Sequence, residues 1–507
     1  QEHARKLTLS TCSHLTRRAI HEGVEAILVV LSNWAGTARE AHLHGGKNPG
    51  ANPVMRRFSP QTRRDRVTTV AQFSYVKRAL PTAAERKVQA ELRLHKERLT
   101  TPLKTDPSVV AEAKAFATQW AHRFLPAQPK PLGVVGLGHS ACVTHSVRQG
   151  GHMSRCREIL SEREASRYEE VPYRPPGMLA QDWVDFWNKE RILSSARECY
   201  LGTGAVPRGT ATVVYERGLK ARIVTKVDTE SCLLGHQARL RLVSGLRKMP
   251  EFHALSGDHL AFLKQFTGQE GMILSSDLTA ATDLLPHDLV VGVVEGLVQS
   301  GRLLPDEVLG LRVNTGPYDL SWGKLGNARS CCGILMGAPS SWSVLSIIHL
   351  FWLEAARCCY PGPRRLLPAC IFGDDLVAAF DTREKKAYEE RVAACHGQLS
   401  KGKHAYHRSH GVFLERLFVA KRSVTAEPLK STGACQVTGP PIMVCHDRIE
   451  DLTLLHTLPL RPFAVLQTSI KAGRRHVSKG TLPAPLAVGG VSDGLMVSGF
   501  PADLIRR

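Results

Sequence analysis

Apolar and polar positions along this chain repeat on two periods, and the switches between them mark its elements. Residues 16–34 and 83–99 place apolar side chains at helical spacing, with charge on the outer face. Pro286 opens a third amphipathic helix running to about Gln299. Residues 342–359 give a fourth helix, and 383–398 a charged fifth. Between them lie short apolar runs that read as strands: 272–274, 411–420, and two runs flanking Gly373-Asp374-Asp375. That last pair reads as a β-hairpin, with Gly373 permitting a tight turn. Residues 45–61 are expected to be loop, and 126–131 a Pro-rich joint. Gln149-Gly-Gly-His152 reads as a turn. Strands, Pro-rich turns and a basic patch at Lys471, Arg474, Arg475 and Lys479 fill 421–507.

Charge changes the picture. The 507 residues carry 67 Lys+Arg against 46 Asp+Glu, a net +21, and residues 1–130 alone hold 22 basic and 10 acidic side chains. A chain this basic repels itself unless an anion is near, and nucleic acid is the commonest such partner. A membrane surface is the alternative, but no basic amphipathic helix stands out, and no apolar run reaches the ~18–20 residues of a span. Residues 26–31 come nearest. For any single basic residue in the first quarter, a solvated helix face is an adequate account. Thirteen cysteines without paired CxxC spacing are neither a disulfide framework nor a zinc site, which suits a reducing, intracellular setting. The adjacent pairs Cys331-Cys332 and Cys358-Cys359 read as small core fillers. The chain opens at Gln1 rather than Met, as a trimmed or partial product would.

Three stretches carry candidate chemistry besides the hairpin. In residues 214–226, Lys220, Arg222 and Lys226 stand at even spacing, so one strand would face all three cations the same way, opposite Ala221, Ile223 and Thr225. Such a face suits a polyphosphate; an edge strand protected by charge is the plainer reading. The strand 272–274 delivers Asp277, and a small-residue turn delivers Asp283; a capping or turn role is the alternative for Asp277. Gly337-Ala-Pro-Ser340-Ser341 reads as a loop whose hydroxyls either cap the next helix or hold a ribose or template backbone. At the hairpin, two adjacent acids repel unless a cation joins them, and hard oxygen ligands suit Mg²⁺ or Mn²⁺, although Gly-Asp is also ordinary turn chemistry. Gly133-Val-Val-Gly136-Leu-Gly138 has the wrong spacing for a dinucleotide loop, and Ser140 and Cys142 lack a triad context.

The order of these parts resembles the palm of a viral RNA-dependent RNA polymerase. Glu216-Arg-Gly-Leu-Lys-Ala-Arg-Ile-Val-Thr-Lys226, Ser276-Asp-Leu-Thr-Ala-Ala-Thr-Asp283 and Met336-Gly-Ala-Pro-Ser-Ser-Trp342 are similar to the botourmiavirus (ourmia-like) and narnavirus enzymes. Lys220, Arg222 and Lys226 match motif F, Asp277 and Asp283 motif A, residues 337–346 motif B, and 373–375 motif C. Lys403 falls in motif D and 411–419 in motif E. The likeness covers about 205–420 well and the flanks loosely.

The resemblance implies an α+β fold, a right-hand palm–fingers–thumb polymerase with an antiparallel palm sheet flanked by helices. It divides the chain into a basic N-terminal region (1–130), fingers with motif F (131–265), palm motif A (266–300), a fingers insertion (301–332), palm motifs B to E (333–420) and thumb (421–507). It implies copying of a viral RNA genome from ribonucleoside triphosphates by two-metal transfer, the ions about 3.5–4 Å apart. Asp277 and Asp374 would be the main metal ligands, with Asp375 secondary, and Lys403 would protonate the departing pyrophosphate with Lys401 as its understudy. Lys220, Arg222 and Lys226 would hold the triphosphate. Asp283, Ser341 and Ser346 would meet the ribose, Ser346 standing where many such enzymes carry Asn. Gly337 and Ser340 would touch the template. Two alternatives are kept: a reverse transcriptase, and a non-catalytic basic RNA-binding protein with a degenerate palm.

Overall fold

The computed structural model describes residues 13–43, 82–166 (save 136 and 139), 180–256 (save 217), 272–400 (save 365), 403–420 (save 409 and 415) and 434–437. The expected 45–61 loop, Lys401, the 471–479 basic patch and nearly all of 421–507 lie outside these residues. Two compact units divide the chain: residues 1–84, 215–220 and 407–507 form one, 85–214 and 221–406 the other.

In the first unit, the helical pattern over 16–34 resolves into residues 13–22 and helix α1 (Val24–Leu43), separated at Gly23, whose φ is +87°.

The second unit begins with α2 (Glu85–Thr100) and α3 (Pro107–Phe124). Asp106 caps α3, accepting from the Ser108 amide at 2.8 Å, and Pro107 supplies a first helical residue with no amide to satisfy. Next come α4 (Gly151–Ser166) and α5 (Ala180–Tyr200). The expected turn at 149–152 is shorter than the sequence suggests: Gly150 takes a left-handed conformation and α4 starts at Gly151.

Lys220, Arg222 and Lys226 share one strand, as their even spacing predicts, and the 214–226 run as a whole includes a turn. It folds as a hairpin of β1 (Arg208–Glu216) and β2 (Lys220–Val227), because Gly218 and Leu219 both take positive φ and reverse the chain. Asp228 then caps α6 (Thr229–Leu246), accepting from the Ser231 amide at 2.7 Å and the Tyr200 hydroxyl at 2.7 Å.

After β3 (Met272–Ser276) come α7 (His287–Gln299), with Pro286 at its N-cap, and α8 (Pro305–Thr315). A buried Arg241–Glu307 pair at 2.9 Å joins α6 to α8. Strands β4 (Asp319–Ser321) and β5 (Asn327–Arg329) extend the first sheet, in the order β2-β1-β4-β5, with β4 parallel to β1.

Helix α9 (Ser341–Arg357) is apolar nearly all round and is buried accordingly. Strands β6 (Ala369–Phe372) and β7 (Asp375–Phe380) are continuous apolar runs buried on both faces. Asp381 starts α10 (Thr382–Ala394) through a capping box with Glu384. That helix stops short of the expected residue 398, at Cys395 and the positive-φ His396. A short β8 (Ala405–His407) interrupts the basic loop 399–409 and completes a second sheet, β6-β7-β3-β8, in which β7 is antiparallel to both β6 and β3. Helices α3, α7, α9 and α10 bury their apolar faces around this sheet, through Trp120, Val293, Trp352 and Tyr388 among others, in one core with Phe380 of β7.

The 411–420 run, in the first unit, is a hairpin rather than one strand. Its strands are β9 (His410–Phe413) and β10 (Arg416–Ala420), reversed at Leu414, with β11 (Ala434–Val437) beside β10.

The ten described cysteines are free thiols. Cys142, Cys232, Cys332, Cys370 and Cys395 are buried, while Cys199 and Cys358 are exposed. Among the described residues no helix is long and apolar enough to cross a membrane.

Candidate active site

The β6–β7 hairpin turns through two residues, Gly373 and Asp374, because Phe372 pairs with Asp375. Gly373 has a φ of +65°, and a Cβ there would stand 2.8 Å from the Trp342 indole nitrogen, so glycine answers both a backbone and a packing demand. On the far side of β7, Ser276 of β3 pairs with Leu376, which brings the next residue, Asp277, beside the turn.

Residues 277–279 are themselves clasped by 398–400. The Ser400 amide donates to Asp277 O at 2.8 Å and the Thr279 amide to Gln398 O at 2.8 Å, on either side of a Leu278–Leu399 bridge. This clasp aims the following loop at the acids, and Lys403 Nζ donates to Asp277 Oδ1 at 3.1 Å. Burial pushes the Asp374 carboxyl above the usual carboxylate range, and the charge of Asp277 adds to the rise; a backbone hydrogen bond, Lys403 and Arg222 oppose it. Two carboxylates, a lysine and an arginine from four separate segments thus share one electrostatic neighbourhood. Asp375, half-buried, is the first residue of β7.

Among the described residues no group of three or more His, Cys, Asp or Glu side chains is arranged to hold a metal unaided. The donor set still fits a divalent ion: it is all hard oxygen, and the mutual repulsion of Asp277 and Asp374 is what a cation relieves. Mg²⁺ is commonly held by one or two carboxylates together with substrate phosphates.

Arg222 and Lys226 lie on the outward positions of β2, while Thr225 and Val227 are buried. Lys220 starts β2 within residues 215–220, which group with the first unit, and pairs with Glu216 at 3.6 Å. Asp283 faces Arg98 of α2 at 3.6 Å, both side chains largely covered. Gly337, at φ +120°, rests against Thr225 O, where a Cβ would come within 2.2 Å, and the Thr225 amide donates to Met336 O at 2.7 Å. The glycine loop is therefore fastened to β2.

Ser340 occupies the N-cap position of α9, but its hydroxyl makes no capping bond. The Ser340 and Ser341 hydroxyls are buried without a hydrogen-bond partner among the described atoms. Ser346 is fully enclosed and donates to Trp342 O at 2.8 Å, a helix-internal bond in place of the sugar-facing one expected of it.

Sequence reasoning missed Arg98, His349 and Tyr388. His349, three residues beyond Ser346 on α9, hydrogen-bonds the hairpin: its Nδ1 lies 2.8 Å from Gly373 O and its Nε2 2.9 Å from the Tyr388 hydroxyl. A histidine inside an otherwise apolar helix was the available signal. Arg98 is one charge among many on α2 and gave none.

A family model described as Mitovirus RNA-dependent RNA polymerase matches residues 187–431. The RNA-directed RNA polymerase of Saccharomyces 20S RNA narnavirus is 31% identical over 453 residues, 87% of this chain and 53% of the relative. That of Saccharomyces 23S RNA narnavirus is 30% identical over 378 residues, 69% of this chain and 39% of the relative. The chain belongs with the viral RNA-dependent RNA polymerases of the narnavirus and mitovirus type. It spans about half the length of the first of these narnavirus polymerases and less of the second. The solved RNA-dependent RNA polymerase of a human picobirnavirus shares the polymerase fold, with a TM-score of 0.52 at 10% identity over 86% of this chain and 87% of that one. Its insertion-loop deletion mutant gives 0.51 at 11% identity, over 86% of each chain. The α+β polymerase fold implied by the motifs is thus present.

Proposed function

We propose that this chain copies a viral RNA genome, joining ribonucleoside triphosphates on an RNA template by two-metal nucleotidyl transfer. The observation that carries the reading is the convergence of Asp277, Asp374, Lys403 and Arg222 at the hairpin turn. In the reaction a 3′-hydroxyl oxygen gives up its proton to water and bonds to the α-phosphorus, the α–β phosphoanhydride bond breaks, and pyrophosphate leaves. Bound Mg²⁺ or Mn²⁺ supplies Lewis acidity to the attacking hydroxyl and offsets charge on the leaving group.

Asp277 and Asp374 would hold those ions, with Asp375 as a secondary ligand. Lys403, already turned to Asp277, delivers a proton to the leaving pyrophosphate. Arg222 holds the triphosphate, joined by Lys220 and Lys226. Asp283 accepts from the ribose 2′-hydroxyl, the group that separates RNA from DNA precursors, while Arg98 pairs with it and aims it. Ser341 lies at the same end of α9 as the sugar contacts, and Gly337 and Ser340 border the template. The net +21 charge holds template and product through their phosphates without reading sequence, and the host cytoplasm is where this copying takes place.

The test is extension of an RNA template by the purified full chain with rNTPs and Mg²⁺, beside an Asp374→Ala control. Product from the wild type and none from the variant is expected. Equal product from both refutes the site; RNA binding by both with no synthesis by either favours a binding protein; a preference for dNTPs favours a reverse transcriptase.

A further inference from the structure

A chain of hydrogen bonds, buried at His349 and Tyr388 and part-buried at His404 and Glu389, runs beneath the carboxylate pair. His349 Nδ1 lies 2.8 Å from Gly373 O, and a carbonyl oxygen accepts only, so Nδ1 carries the ring proton. Burial pushes the imidazole down to about 4, so it is neutral at pH 7 and Nε2 is left as an acceptor. The Tyr388 hydroxyl, 2.9 Å away, donates to it. The Ser276 hydroxyl, on the residue preceding Asp277, faces the Tyr388 hydroxyl and offsets part of the rise that burial imposes on it. Ser276 Oγ lies 3.1 Å from His404 Nδ1, and His404 Nε2 lies 2.6 Å from Glu389 Oε1, which also takes Lys385 at 2.8 Å. His404 directly follows Lys403 in the chain. The two ends of the network therefore sit next to the hairpin acid and next to the lysine, and its middle sits next to the β3 acid.

Such a network is costly where it stands. Helix α9 and strands β6 and β7 are otherwise apolar and buried, and a half-satisfied polar chain would be worse than an apolar core. A hairpin tip normally offers its carbonyl to water; here the Gly373 carbonyl turns inward and meets a dedicated donor.

We infer that His349, Tyr388, Ser276 and His404 are positioning residues acting as one unit, fixing the Gly373–Asp374 peptide against Asp277 and Lys403 for nucleotidyl transfer. The inference rests on the function proposed above.

The test uses the full chain with His349→Asn, His349→Gln, Tyr388→Phe, Ser276→Ala and the double variant Ser276→Ala/Tyr388→Phe. An asparagine amide nitrogen takes the place of Nδ1 and keeps the bond to Gly373 O, whereas glutamine places its amide at Nε2 and loses that bond. Four quantities are read: the Mg²⁺ concentration for half-maximal extension, KM for rNTP, amide hydrogen exchange over residues 370–376, and the thermal midpoint. His349→Gln and Tyr388→Phe are expected to raise the half-saturating Mg²⁺ about tenfold, the usual effect of losing a group that orients a metal ligand. KM for rNTP stays unchanged and the hairpin amides exchange faster, while His349→Asn, which keeps the bond to Gly373 O and loses only the Tyr388 one, shows a smaller rise than His349→Gln. The double variant falls no further than its worse single, because the two residues serve one chain.

Equal behaviour of Asn and Gln at 349 overturns the inference. So does a lower thermal midpoint with Mg²⁺ requirement and hairpin exchange both unmoved, or multiplying effects in the double variant. If the wild type makes no RNA, the proposed function fails on its own account, and hairpin exchange, which needs no catalysis, still decides the network.

Discussion

Replacing Gly373 by alanine tests the turn that carries Asp374 without invoking any reaction. An L side chain at the φ of +65° found there costs about 1–2 kcal/mol. The new Cβ would meet Trp342 Nε1 at 2.8 Å and Cδ1 at 3.1 Å. The indole cannot simply swing aside, since Phe372 packs on it at 5.1 Å and Phe252 at 6.5 Å between ring centroids. Overpacking of this kind costs about 1–3 kcal/mol. Together the two effects predict a loss of about 2–5 kcal/mol, which lowers the thermal midpoint by roughly 4–10 °C at about 2 °C per kcal/mol for a body this large. The assay is a thermal midpoint cycle with Trp342→Leu. Removing the indole abolishes the clash and leaves the strain, so Gly373→Ala in that background should lose only about 1–2 kcal/mol. An equal loss in both backgrounds would refute the argument, because the cost would then lie somewhere other than the indole.

Four further outcomes are expected. Lys403→Met lowers kcat for extension about 100-fold, as loss of a general acid does, and a change confined to KM at saturating rNTP would count against that role. Arg98→Met weakens the preference for rNTP over dNTP about fivefold: a pair at 3.6 Å is worth about 1 kcal/mol in water and about 5 at an effective dielectric of 20, and partial exposure favours the lower figure. Single-nucleotide incorporation measures it, and an unmoved ratio sinks the ribose assignment of Asp283. His349, held near 4 when folded against 6.5 when unfolded, contributes full stability above pH 6.5 and loses it as pH falls toward 4, about 3 kcal/mol in all. Denaturation midpoints across that range should show His349→Asn lacking this component. Asp374, raised above its unfolded value, favours the protonated form in the folded state, so its charge weakens the metal-free protein at neutral pH. Asp374→Asn should therefore raise the metal-free midpoint at pH 7, with the gain vanishing below the ordinary carboxylate range.

The strongest periodic signals in the sequence became elements close to where they were expected: α2, α7, α9 and the β6–β7 hairpin all announce themselves by apolar spacing and caps. The 411–420 run was misread as a single strand because it reverses at Leu414, a non-glycine residue in a left-handed conformation that no turn signature marks. Helices α3 to α6 went unassigned. Asp106-Pro107 was a readable start for α3, but α6 is buried along so much of its surface that its polar face is narrow. At the site, Asp277 and Asp374 were legible because each ends an apolar run. Lys403 was legible by motif order alone. Arg98 and His349 were not, because their partners, Asp283 and Gly373, lie 185 and 24 positions along the chain and meet them only through tertiary packing.

Cys370 sits in β6 three residues before the turn, completely enclosed, with burial raising its thiol to about 12. A soluble alkylating reagent therefore finds almost no thiolate there until the strand parts from its neighbours, whereas Cys358 stands exposed and is modified from the outset. Peptide mass spectrometry of the two modifications over time turns the chain into its own clock, one residue counting exposure to reagent and the other counting openings of the catalytic strand.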